Sequence, residues 1–136
     1  MTSGATDARS SRLTRLDHVQ LAMPEGREPE AVAFYAGVLG LEEVPKPPVL
    51  AARGGCWFGR GDVVVHLGVD PSFRPATKAH PAFVVDDLDA LAASLESAGV
   101  ALRWDDALAD VKRGYVDDPF GNRIELIDAG SVGTAG

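Results

Sequence analysis

Apolar and polar residues alternate along residues 15–23, RLDHVQLAM, which predicts a β-strand that ends before Pro24. Residues 29–39 instead place apolar side chains three and four positions apart. Pro29 near the start and Gly40 just past the end are typical of a helix. Short apolar stretches then predict strands at residues 41–44, 55–58 and 63–69, with a loop over the proline-rich residues 45–48.

The second half of the chain repeats the same order of predicted elements. A strand is predicted at residues 80–85, followed by a helix that Asp86 or Asp87 can cap and that ends near Gly99. The last three strands are predicted at residues 101–104, 111–116 and 123–127. The order repeats after about 60 residues, so the pattern indicates two βαβββ units.

These units define the predicted domain organisation. Residues 13–70 and 79–128 form the repeats of one α+β domain that covers residues 13–128. We expect its strands to form a curved, mostly antiparallel sheet. The small and polar residues 1–12 and 129–136 are predicted to be flexible tails.

Composition narrows the functional classes. The 136 residues are 46% hydrophobic and 24% charged, as in a globular protein, and no apolar run is long enough to span a bilayer. A net charge of −7 argues against nucleic acid as a partner. One cysteine, Cys56, excludes an internal disulfide, and the first twelve residues lack the apolar stretch of a secretory signal. We therefore expect a cytoplasmic protein.

The three histidines of the chain occupy related places in the two repeats. His18 and His80 open the units, and His66 lies in the last strand of the first unit, where the second unit has Glu125. Imidazole and carboxylate groups are a common ligand set for Fe, Mn, Co, Ni or Zn. A single strand histidine is usually an ordinary core or surface residue, and Glu125 could be exposed and paired with Arg123. The symmetric positions of all four favour a divalent metal site.

Several residues near these positions are candidates for a substrate pocket. Trp57 and Tyr115 lie on predicted strands and could line it, although core packing is the commoner role for such side chains. Arg113 precedes Tyr115 on its strand and could bind an anionic group of a substrate. Cys56 is expected to be a buried apolar filler.

The motifs resemble those of the vicinal oxygen chelate superfamily, which includes glyoxalase I, fosfomycin-resistance transferases, extradiol dioxygenases and bleomycin-resistance proteins. The matching residues are 16–19 (LDHV), 34–35 (FY), 39–41 (LGL), His80, 85–87 (VDD) and 115–126 (YVDDPFGNRIEL). The resemblance covers about residues 13–128. The turn DPFGN followed by a strand with a glutamate is its most specific part, and it does not single out one activity.

The resemblance implies a glyoxalase-like fold and metal ligands on the first and last strands of each unit. In this chain those ligands are His18, His66, His80 and Glu125. The position of His66 is usually Glu or Gln in glyoxalase I, so His66 is a departure. It can be a fourth ligand, a base beside the metal, or a residue without a chemical role. Small members often form their sites between chains, which implies a homodimer in which His18 and His66 face the other chain's second unit.

The resemblance also implies the chemistry. A divalent ion with open positions acts as a Lewis acid on two neighbouring oxygens of a small substrate, and Glu125 or His66 can move a proton. The expected function is therefore metal-dependent proton transfer, as in a glyoxalase-like lyase or isomerase, or dioxygenase chemistry. The alternative is a metal-free protein that binds a drug or metabolite, as the bleomycin-resistance branch does. A scaffold with relic ligand positions is a third possibility.

Overall fold

The computed structural model describes residues 10–135, which form eight strands, four α-helices and one π-helical segment. The predicted tail over residues 1–12 lies largely outside this range. The first unit contains β1 (Val19–Met23), α1 (Glu28–Val32), a π-helical segment (Ala33–Val38), β2 (Glu42–Val44), α2 (Pro48–Ala51), β3 (Cys56–Arg60) and β4 (Val63–Val69). The second unit contains β5 (Ala82–Val85), α3 (Leu88–Ser97), β6 (Arg103–Asp105), β7 (Arg113–Asp117), β8 (Arg123–Asp128) and α4 (Ala129–Ala135).

Each unit forms its own four-stranded sheet, and the two sheets share one topology. The strand orders are β1-β4-β3-β2 and β5-β8-β7-β6. In each sheet the first and last strands pair in parallel, and the other neighbours are antiparallel. The α+β class with two βαβββ units is therefore confirmed, and in the described residues the strands form two mixed sheets in place of the one curved, mostly antiparallel sheet that the sequence predicted. Most strands lie within three residues of their predicted bounds.

One hydrophobic core joins the two units. Side chains alternate between the two faces of a strand, so one face of each sheet packs into this core. Phe58 and Val65 belong to that face of the first sheet, and Val116 and Ile124 to that face of the second. All four side chains are fully buried. Because the core uses one face of each sheet, the opposite faces are left for polar side chains.

The first helix differs from the prediction of a regular α-helix over residues 29–39. From Ala33 onwards it is π-helical, and the Leu39 amide donates to the Phe34 carbonyl at 2.9 Å, five residues back. Phe34 and Tyr35 are both buried in this segment. The wider π turn lets two consecutive aromatic side chains enter the core, which the three-to-four-residue spacing of an α-helix does not predict.

Two further differences concern short helices. Residues 45–48 were predicted to be a loop, but Pro48 begins the one-turn helix α2, since proline fits the first helical position. The tail predicted over residues 129–136 begins with helix α4. Asp128 and Ser131 explain its start: Gly130 N donates to Asp128 Oδ2 at 3.0 Å, and Ser131 Oγ donates to Asp128 O at 2.9 Å. Within residues 10–135, no helix has the length and apolar character needed to cross a membrane.

A buried hydrogen-bond network ties the units together. Tyr35 Oη donates to Asp118 Oδ2 at 2.7 Å, and Asp118 Oδ1 accepts from the Phe120 and Asn122 amides at 2.9 Å each. Asn122 Nδ2 donates to the Ala22 carbonyl at 2.8 Å. The β7–β8 turn thus holds both the first helix and β1. Burial, next to the Asp118 carboxylate, raises the pKa of Tyr35 far above its ordinary value, so its hydroxyl stays a donor.

The cap of helix α3 gives a direct test of one sequence prediction. Asp87, one of the two predicted caps, accepts from the Ala90 amide at 3.0 Å. Asp87→Ala is expected to lower the free energy of unfolding by about 1 kcal/mol, since that amide loses its acceptor. Urea denaturation measures the change. Asp87→Asn keeps a capping oxygen and should retain most of the stability, and an equal loss in both variants would contradict capping as the cause.

Candidate metal centre

The polar face of the first sheet brings together two of the predicted ligands. His66 in β4 lies beside Trp57 of β3, with which it is paired across the strands. The His66 ring stacks on the Trp57 ring at a centroid distance of 4.0 Å and on the His18 ring at 4.1 Å. His66 is therefore held between two rings, with its nitrogens at the edge of the stack. Burial is the main cause that lowers the pKa of His66, which favours the neutral, metal-binding form.

The polar face of the second sheet brings together the other two predicted ligands, His80 and Glu125. His80 precedes β5, and its Nε2 lies 3.0 Å from Oε1 of Glu125 in β8. Glu125 is only 8% exposed, although a carboxylate usually lies in water. Its second oxygen, Oε2, accepts from Arg113 Nη1 at 3.2 Å. The sequence alternative of an exposed Glu125 paired with Arg123 is therefore wrong, and Arg123 lies over the Tyr115 ring instead.

Both strand-opening histidines are oriented through Nδ1. His18 Nδ1 lies 2.9 Å from Asp17 Oδ2, and this hydrogen bond is the main cause that lowers the pKa of Asp17. His80 Nδ1 lies 2.8 Å from the Lys78 carbonyl. An oxygen on Nδ1 is the usual partner of a histidine that binds metal through Nε2, because it fixes the tautomer. The pattern recurs in the two repeats.

The environment of His80 suits a cation. In the neutral tautomer of His80 that donates its Nδ1 proton to the Lys78 carbonyl, Nε2 is an acceptor, and it faces the acceptor Oε1 of Glu125 at 3.0 Å. Two acceptors at this distance need a proton or a metal ion between them. The nitrogen and carboxylate donors are also the types that Fe, Mn, Co, Ni and Zn use. The residues thus fit a divalent ion in their chemistry.

The four predicted ligands do not meet within one chain. They form the pairs His18 with His66 and His80 with Glu125, and no three His, Cys, Asp or Glu side chains in residues 10–135 lie together as a metal-binding group. Each pair lies on the sheet face that the core leaves uncovered. One chain therefore carries two separate pairs of candidate ligands, called half-sites below.

The predicted pocket residues lie on the same faces. Trp57 and Tyr115 are partly buried and lie outside the core cluster, so the core-packing alternative for them is not what the structure shows. Tyr115 contacts the His80 ring edge-to-face at 5.6 Å. Cys56 is buried as expected, and burial raises the pKa of its thiol to about 11.

Sequence reasoning missed one member of this face, Asp105. It accepts from Arg113 Nη2 at 3.2 Å, so the guanidinium bridges two carboxylates. The strand containing it was predicted at residues 101–104 but spans Arg103–Asp105. Asp105 and Arg113 face each other across β6 and β7. A predicted strand that included Asp105 would have allowed this cross-strand ion pair to be considered.

Two of the grooves on the described surface lie elsewhere. A groove of about 590 Å³ contacts Phe34, Val38 and Val100, and one of about 480 Å³ contacts Leu41, Phe83 and Leu91. Each lies between the helix of one unit and the segment after the helix of the other. The two grooves lie at equivalent positions in the two repeats. None of the predicted ligands lines either of them.

Comparison with known proteins confirms the glyoxalase-like fold. A glyoxalase family protein from Bacillus anthracis is 48% identical, with a TM-score of 0.84 over 87% of this chain and 97% of its own. A lactoylglutathione lyase from Agrobacterium tumefaciens is 22% identical, with a TM-score of 0.69 over 90% and 99%. A fosfomycin resistance protein from Listeria monocytogenes is 16% identical, with a TM-score of 0.69 over 87% and 95%. The last two show likeness of fold alone.

No match was found among curated proteins. The family model of the Glyoxalase/Bleomycin resistance protein/Dioxygenase superfamily matches residues 15–126, which is most of the chain and includes both half-sites. The chain therefore belongs to this superfamily, that of the vicinal oxygen chelate proteins.

Proposed function

We propose that this protein is a metal-dependent enzyme that chelates a small oxygenated substrate. The observation that carries the proposal is the pair of half-sites, His18 with His66 and His80 with Glu125, at repeat-related positions on uncovered sheet faces. A homodimer that apposes the first unit of one chain to the second unit of the other would bring all four donors together. Symmetry then gives two such sites per dimer.

The chain's own residues suggest how the site works. A bound divalent ion would supply Lewis-acid chemistry at two neighbouring oxygens of the substrate. His66, favoured in its neutral form by burial, can accept a proton if it is not a ligand. Trp57 and Tyr115 would bound the substrate on either side. This arrangement suits proton transfer by a lyase or isomerase, and the same donors would also suit a dioxygenase.

One observation favours a metal-free alternative. Glu125 already has a hydrogen-bonding partner for each oxygen, His80 and Arg113, so its burial is compensated without a metal ion. In that case the faces would bind a drug or metabolite, as in bleomycin-resistance proteins. Metal analysis separates the two functions, because only the first requires an ion. We also propose a cytoplasmic location, since the free Cys56 suits a reducing compartment.

Metal content tests the proposed function directly. Untagged protein, purified without chelator or nickel resin, is expected to contain about one Fe, Mn, Co, Ni or Zn per chain by mass spectrometry. His80→Ala and Glu125→Ala should each lose that metal, because each removes a donor from the site. Identification of the ion would then choose between dioxygen chemistry and proton transfer.

Asp117→Ala is the matched control for Glu125→Ala. Asp117 carries a carboxylate on the neighbouring strand β7 but pairs with Arg103, away from the half-site. It should keep the metal content of the wild type. A wild-type protein that contains no metal, and takes none up when these ions are added, would exclude the enzyme and leave the metal-free binding protein.

A further inference from the structure

Arg113 joins Glu125 to a carboxylate outside the half-site. Its Nη1 donates to Glu125 Oε2 and its Nη2 donates to Asp105 Oδ2, both at 3.2 Å. The side chains of Arg113 and Glu125 are 18% and 10% exposed and that of Asp105 is 28% exposed, so the Glu125 end of the bridge is the better shielded from solvent. Its Nε is buried without a hydrogen-bond partner in the described residues. Both ends of the guanidinium are therefore fixed.

The two oxygens of Glu125 have different surroundings. Oε1 faces His80 Nε2 at 3.0 Å, and these are the two atoms that a metal ion in this half-site would contact. Oε2 is on the Arg113 side and is held by a charge-assisted hydrogen bond. Because Arg113 holds Oε2 on its own side, Oε1 is the oxygen directed at His80 and at a metal ion in this half-site.

Arg113 is poorly placed to bind an anionic substrate. Both terminal nitrogens already contact carboxylates, and Asp105 offsets its charge from the outer strand β6. Releasing the guanidinium would leave the buried carboxylate of Glu125 with fewer partners, which is unfavourable. The geometry therefore favours a role toward Glu125 over the substrate-binding role that the sequence suggested.

We infer that Arg113 is a positioning residue that restricts Glu125 to a single-oxygen contact with the metal ion and so keeps a coordination position open for substrate. This inference rests on the proposed metal site. Asp105 contributes by anchoring the guanidinium from the other side. A positioning role of this kind is typical of groups that hydrogen-bond to metal ligands.

Co²⁺ absorption spectra test the inference without an activity assay. The intensity of the visible bands of Co²⁺ falls as its number of ligands rises, so it reports whether Glu125 binds through one oxygen or two. Arg113→Gln and Arg113→Met free Oε2, and each is expected to lower the band intensity about twofold. Arg113→Lys keeps a donor and a positive charge and should retain the wild-type spectrum. Two neutral variants of different shape are used because one of them could fail to fold. Thermal melting would detect such a failure.

Arg103→Gln is the matched control. Arg103 lies on β6 and donates to Asp117 at 3.0 and 3.3 Å, so its loss removes the same charge from the same sheet without touching Glu125. Its Co²⁺ spectrum should equal that of the wild type. An unchanged spectrum in the folded Arg113 variants, or an equal change in Arg103→Gln, would overturn the inference while the metal site stands. Failure of wild-type protein to bind Co²⁺ would instead overturn the proposed function, and the inference with it.

Discussion

A mixture of two variants that cannot bind metal is expected to recover binding. One chain carries His18→Ala and His66→Ala, and the other carries His80→Ala and Glu125→Ala. In a heterodimer of these chains, one site loses all four donors, but the other joins two intact half-sites. Random exchange of subunits should therefore restore about a quarter of the wild-type metal content. Metal analysis of the refolded or co-expressed mixture measures it.

A second mixture provides the control for this experiment. When the chain carrying His18→Ala and His66→Ala is combined with a chain carrying His18→Ala alone, every site in the mixture lacks His18, whatever the role of His66. The metal content of this mixture should stay below that of the first mixture. Heterodimers that are shown to form by differential tagging, yet recover no metal in the first mixture, would contradict a site shared between chains.

The second large effect is on stability and concerns the buried hydrogen-bond network around Asp118. Asp118→Ala is expected to lower the free energy of unfolding by about 4 kcal/mol, since Asp118 is 5% exposed and the groups around it cannot turn to water. Its removal leaves buried donors of Tyr35, Phe120 and Asn122 without their acceptor. Denaturation in urea, followed by circular dichroism, measures the loss.

Two variants show whether the effect belongs to the network. Tyr35→Phe removes one donor and leaves the others, so it should cost about 2 kcal/mol, as expected for one hydrogen bond to a charged group. Asp117→Ala removes the adjacent carboxylate, whose side chain is 51% exposed and pairs with Arg103, and should cost less than about 1 kcal/mol. Equal losses in Asp117→Ala and Asp118→Ala would refute the special role of the buried network.

Much of the fold could be predicted from local patterns. The alternation along β1, the apolar stretch of β4, the cap at Asp87 and the turn over residues 119–122 depend on neighbours within a few positions of the chain. The π-helical segment was not predictable in this way. The burial of both Phe34 and Tyr35 depends on packing and on the distant Asp118, and neither is visible in a window of a few residues.

The candidate site shows the same division. The pairing of His80 with Glu125 agrees with the repeat, because equivalent positions on equivalent strands lie at the same place in each sheet. The partners of Arg113 were missed, since they depend on the register of β6 against β7 and on the burial of that face.

The sequence by itself determined the two βαβββ units, the repeat-related positions of the histidines and Glu125, and the nitrogen and oxygen chemistry of the half-sites. These follow from side-chain period and residue type, which are local properties. Only the tertiary structure decided that Arg113 is shared by two carboxylates and that Tyr35 and Asp118, 83 residues apart, meet in the core. Such contacts depend on strand order, register and burial, which are set only when the whole chain packs.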